Sequence, residues 1–196
     1  MRKTLTILLF LIILLVIIGG VFLWKASKEE KKGSPDDYAI KESNEGKIVE
    51  NSKAGLKFRV PEGWKVEKIE IDEGSVVLYS PDAESVYSGK IRPPLKKGCM
   101  IEVAVLYKRT NPEELEKEIK EMHSDSTIKS DEFELIEFKN TTALRNRFSD
   151  EILGEGESFY VINNDKVYSF CIYKKEGSLE VCNKNFNRFL DELSFK

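Results

Sequence analysis

Three cysteines, one histidine and one run of cations are the residues of this 196-residue chain whose types and spacing suggest chemistry. The cysteines are Cys99, Cys171 and Cys182, an odd number without the Cys-x-x-Cys spacing of a zinc site. Cys182 falls on the apolar stripe of a helix near the C-terminus, and Cys171 lies in the strand before that helix. Two readings of this pair stand. They are separate thiols of the core, or they form a disulfide, Cys171–Cys182, which an oxidising compartment would permit. A loop that short contributes on the order of 3 kcal/mol. Cys99 then remains a small core residue. A thiol or serine nucleophile needs a base, and His123 is the only histidine. It follows Met122 at the end of an acidic helix, with no cysteine near it in sequence and no Gly-x-Ser-x-Gly elbow anywhere. No phosphate loop or dinucleotide fingerprint occurs either. The sequence therefore assigns no catalytic, cofactor-binding or metal-binding residue. Asn140-Thr141-Thr142 is a formal glycosylation sequon.

The cations stand together in Tyr87-Ser88-Gly89-Lys90-Ile91-Arg92-Pro93-Pro94-Leu95-Lys96-Lys97, a stretch without an acid. Lys90, Arg92, Lys96 and Lys97 suit an acidic surface on a membrane-associated protein, or anionic lipid headgroups. The two prolines restrict the free loop and lower the cost of ordering it on a partner. The competing reading is a solvated loop with Ile91 and Leu95 turned into the domain.

The elements that must position these residues follow from the apolar pattern. Leu5 to Trp24 is a run of 20 residues without a charge. As a helix it spans about 30 Å, the thickness of the bilayer's hydrocarbon core. Arg2, Lys3 and Lys25 bracket it, and Trp24 suits the interface. The run exceeds a signal peptide's apolar region, and Trp24-Lys25-Ala26-Ser27 is a poor cleavage site. Residues 1–24 thus read as a signal-anchor in contact with lipid through 5–24. Its flanking charges nearly balance, and a short charged N-tail before a large domain favours placing the C-terminal domain outside the cytoplasm. Residues 25–50 are polar and read as a charged flexible linker. Lys and Arg total 31 against 34 Asp and Glu, for a net charge of −3. Only Arg2 and Lys3 precede the anchor, so the rest is more acidic still, which argues against nucleic-acid binding.

Residues 51–196 carry domain patterning. Leu56, Phe58 and Val60 alternate before a Pro61-Glu62-Gly63 turn, Val76–Tyr79 is apolar, and Cys99–Tyr107 is the most strand-like run. Asn111 and Pro112 start a helix with Leu115, Ile119 and Met122 on one face. Glu113–Lys117 and Glu116–Lys120 pair on its other side. Strands are expected at 133–138, 142–148, 158–162 and 167–173, with a turn at 163–166. Ser178 caps a last helix whose stripe is Leu179, Cys182, Phe186, Phe189, Leu190 and Leu193. The sum is an α+β domain, an antiparallel sheet flanked by helices.

This domain resembles the PsbP-like family, named for an extrinsic protein of the photosystem II oxygen-evolving complex. The likeness rests on Gly55-Leu56-Lys57-Phe58-Arg59-Val60-Pro61-Glu62-Gly63-Trp64, on Val76–Tyr79, on the capped helix after the long strand, and on the closing Leu193-Ser194-Phe195. The resemblance implies an α/β/α sandwich, an extracytoplasmic location and a non-catalytic role. It carries over no metal or photosystem contact. The expected function is a single-pass, membrane-anchored domain with a binding or assembly role. The alternative is an enzyme or small-ligand receptor using the sheet face or the 83–98 loop, and a sheet pocket lined by convergent polar groups would favour it.

Overall fold

The computed structural model describes residues 33–44, 46–69, 74–85, 95–124, 128–150, 154–163, 165–175 and 179–195, all within the unit Lys32–Lys196. The anchor expected at 5–24 lies outside them, as do Lys90, Arg92 and Ser178. Among the described residues no helix is long and apolar enough to cross a membrane.

The described residues begin with a short 3-10 turn and the hairpin β1 (Tyr38–Ser43) and β2 (Gly46–Asn51). Next come β3 (Leu56–Arg59), β4 (Lys65–Ile69), β5 (Ser75–Tyr79), β6 (Glu84–Ser85), β7 (Leu95–Lys97) and β8 (Cys99–Leu106). Helix α1 (Pro112–Ser124) is followed by β9 (Lys129–Ser130), β10 (Glu134–Phe138), β11 (Thr141–Asp150), β12 (Gly154–Asn163) and β13 (Lys166–Lys174). Helix α2 (Leu179–Asp191) and β14 (Ser194–Phe195) close the chain. One antiparallel sheet has the order β10-β11-β12-β13-β8-β5-β4, with β9 also on β11. A smaller sheet has the order β1-β2-β3-β14, and β6 pairs with β7. The domain is α+β.

Strand parity assigns each side chain of the large sheet to a face. Cys99, Ile101, Val103 and Val105 of β8 face inward with Tyr168, Phe170 and Ile172 of β13. They pack on Phe186, Phe189 and Leu190 of α2 and on Leu56 and Phe58 of the small sheet. The rings of Phe58 and Phe189 meet edge to face, 5.2 Å apart. On the outer face, Leu115 and Ile119 of α1 cover Leu144, Tyr160 and Val167. Leu95 of β7 covers Val77, Met100 and Tyr173 at the other end of that face. Asn111 caps α1 as expected, its Oδ1 accepting from the Glu114 N–H at 2.9 Å. Met122, placed on the apolar stripe by periodicity, is instead exposed, because the contact of α1 with the sheet ends at Ile119.

The linker expected over 25–50 is overturned for its second half. Tyr38–Ser43 and Gly46–Asn51 form two strands of the small sheet. The hairpin contributes only two fully buried apolar side chains, Tyr38 and Val49, too few to register as a pattern. What holds it is pairing of β2 with β3 and polar anchoring. The Tyr38 hydroxyl donates to the Val103 carbonyl at 3.5 Å, and the Ala54 N–H to the buried Asn51 Oδ1 at 3.0 Å. The Tyr168 hydroxyl donates to the Ala54 carbonyl at 2.6 Å.

The turn between β10 and β11 has Lys139 and Asn140 both in the left-handed region, at φ 49° and 63°. This is the two-residue turn whose twist suits a hairpin. Its Lys139 ammonium donates to the carbonyls of Asp191, at 2.7 Å, and Leu193, capping the end of α2 where the helix dipole favours a cation.

Candidate functional site

The disulfide does not join Cys171 to Cys182. Cys99 of β8 and Cys182 of α2 are bonded, with their Cα atoms 5.7 Å apart. Parity is the reason. Cys99 points inward to α2, whereas Cys171 falls between the inward Phe170 and Ile172 and therefore points to the outer face. No length of loop between 171 and 182 can turn a side chain through its own sheet. Cys171 is half-buried, its Sγ 3.3 Å from Ser158 Oγ and 3.7 Å from Ser169 Oγ. In register with it stand Ser158 on β12 and Glu102 on β8, both buried. His123 Nδ1 lies 3.0 Å from Ser130 Oγ, and burial lowers its pKa.

The disulfide pins the first turn of α2 beside a polar cleft. Residue 183 follows the bonded Cys182, and residue 174 is the register partner of the bonded Cys99. Their side chains meet: Lys174 Nζ donates to Asn183 Oδ1 at 2.6 Å. The cleft, of about 740 Å³, opens where α2 and the small sheet leave the inner face of the large sheet uncovered. On β11 the alternation Arg145-x-Arg147 lines it, and on β12 Glu155-x-Glu157 does. Asn183 and Asn187, four apart on α2, form the opposite wall.

Two charges in the cleft are committed to each other. Arg145 Nε donates to Glu157 Oε1 at 3.0 Å, Arg145 Nη2 lies 3.0 Å from the same oxygen as an ion pair, and Glu157 is buried. Lys174 is also buried, at 7% exposure, but the group at hydrogen-bond distance is a neutral amide. Burial therefore pulls its pKa below the ordinary lysine value. The carboxylates of Glu157 and Glu155 oppose that shift, and the nearby Arg147 and Arg145 add to it. Such alternation of charges along a strand reads in sequence as a solvated face. Only the placement of α2 turns that face into a cleft, so sequence reasoning missed these residues.

A second, larger groove of about 990 Å³ runs between α2 and the Pro61-Glu62-Gly63-Trp64 turn, with the exposed Val181 on its rim. Of the basic loop, Lys96 and Lys97 are described, both exposed on β7. Among the described residues no group of three or more His, Cys, Asp and Glu side chains is arranged to hold a metal ion.

No protein-family model matches the sequence, and no curated protein matches it. Solved structures do. The chain is similar to cyanobacterial PsbP (CyanoP) from Synechocystis sp. PCC 6803, with a TM-score of 0.51 and 11% identity over 76% of this chain and 91% of that one. The domain has the PsbP fold. LpqN of Mycobacterium tuberculosis, described as involved in cell envelope biogenesis, has a TM-score of 0.47 and 11% identity over 72% of this chain and 83% of its own. Neither likeness assigns the polar cleft of this PsbP-like domain a role.

Proposed function

We propose that this protein is a single-pass membrane protein that holds a PsbP-like, non-catalytic binding domain outside the cytoplasm. The observation that carries this reading is the Cys99–Cys182 disulfide, because such bonds persist in oxidising compartments and are rare where thiols are kept reduced. The 20-residue uncharged run at 5–24 supports the anchor.

The cleft favours small-ligand reception as the form of the binding, since it is a sheet pocket with convergent polar groups. Alkaline phosphatase and green fluorescent protein fused in turn after Lys196 test the topology. Active phosphatase with a dark fluorescent fusion is expected. Cytoplasmic fluorescence with inactive phosphatase would overturn the orientation and the compartment together.

A further inference from the structure

We propose that the cleft beside the disulfide binds a small molecule through an oxyanion group, carboxylate or phosphate, received by Lys174 and Arg147. The proposal deepens the reading of the domain as a binding module and is independent of its compartment.

The argument begins with the cost of Lys174. A buried ammonium is stable only when its charge is answered by hydrogen bonds and an opposite charge. Lys174 has three N–H groups, and among the described residues the one acceptor at hydrogen-bond distance is Asn183 Oδ1. Glu157 is near enough to influence it, but Glu157 Oε1 is already paired with the Arg145 guanidinium. Arg147 lies close enough to add a like charge and is exposed on the same cleft wall. Among the described residues its guanidinium has no ion-pair partner.

The cleft therefore holds a local excess of positive charge with donors to spare, inside a domain whose net charge is negative. An oxyanion there would gain charge-assisted hydrogen bonds from Lys174 and Arg147 and relieve their mutual repulsion. A volume of about 740 Å³ admits a small metabolite and is too small for a folded partner. The side-chain amide of Asn187 and the carboxylate of Glu155 line the remainder. They suit hydroxyl or amino groups on the same ligand. A bare anion is thus the minimal probe, and a hydroxylated carboxylate a better one.

The test uses the full chain in detergent, titrated with inorganic phosphate and with citrate against chloride at matched ionic strength. Melting temperature and isothermal calorimetry are the readouts. Saturable binding of at least one anion is expected, with a rise in melting temperature. Lys174→Met should weaken it by at least about tenfold. Because that variant alters a buried position, Asn183→Asp provides the second arm. It sets a carboxylate on the ammonium and should abolish anion binding while the domain melts no lower than the parent. Lys57→Gln, exposed on β3 and away from the cleft, should bind as the parent does. Citrate binding without phosphate binding assigns a carboxylate ligand, and the reverse assigns a phosphate. No saturable binding of either anion overturns the proposal. So does undiminished binding by a folded Asn183→Asp variant. Neither result touches the topology reading, which the fusions test separately.

Discussion

Replacing Cys99 and Cys182 by alanine should destabilise the domain by about 4.5 kcal/mol, through the unfolded state more than the folded one. The bond joins residues 83 apart in sequence, and tying the ends of so long a loop removes much of the unfolded chain's freedom. The chain-entropy relation gives about 4.5 kcal/mol for that length at room temperature, against about 3 for a loop of some fifteen residues. For a domain of this size each kcal/mol is worth roughly 2–4 °C, so the melting point should fall by about 10–18 °C. The two side chains are fully buried, at 1% and 0% exposure, so the alanines also leave a small void that adds to the loss. Urea unfolding of parent and variant separates the two effects. Loss of the cross-link expands the denatured state and should raise the dependence on urea, whereas a void alone changes the midpoint only. Cys171→Ser should leave the bond intact and the melting point near the parent's. Peptide mapping without reductant must recover Cys99 linked to Cys182. A Cys171–Cys182 peptide, or a double variant melting within about 3 °C of the parent, would refute the parity argument or the entropic one respectively.

A chain starting at residue 33 should fold, whereas one starting at residue 52 should aggregate or melt far lower. It lacks β1 and β2 and exposes the partners of Tyr38 and Val49, each side chain worth roughly 1.5–3 kcal/mol of burial; circular dichroism melts and light scattering compare the two. Gly156→Ala should cost about 1–3 kcal/mol in the same melts, because a Cβ there would come within 2.1 Å of the Phe148 ring. Pairing it with Phe148→Leu should recover part of that loss. Alkaline titration supplies the last test. Burial pushes Tyr168 up to about 12 and raises Tyr38 and Tyr160 further, while their unfolded value is near 10. Above pH 10 the unfolded chain therefore binds fewer protons than the folded one, and stability should fall from pH 10 to about pH 12. Tyrosinate absorbance should rise together with unfolding; full ionisation of all seven tyrosines in a still-folded domain would contradict the burial.

The sequence by itself determined what repeats along the chain. The alternation at Leu56, Phe58 and Val60, the long strand over β8, the Asn111 cap and the stripe on α2 each depend on neighbours a few residues away. Backbone geometry turns such spacing into one face or another without knowledge of the rest of the fold. The α+β class was legible for that reason, whereas the PsbP fold was legible only through the resemblance carried by the Gly55–Trp64 motif. The tertiary structure alone decided what meets across the layers. Cys182 had two cysteines to choose from, and the nearer one in sequence was on the wrong face of β13. Tyr38 and Val49 sit in a polar stretch and became core only because β3 offered a free edge for their hairpin. Lys174, Arg147 and Asn183 come from a strand, another strand and a helix, with no shared local pattern. They line one cleft because the disulfide sets the first turn of α2 on β8, and juxtapositions of that range are fixed by packing rather than by spacing along the chain.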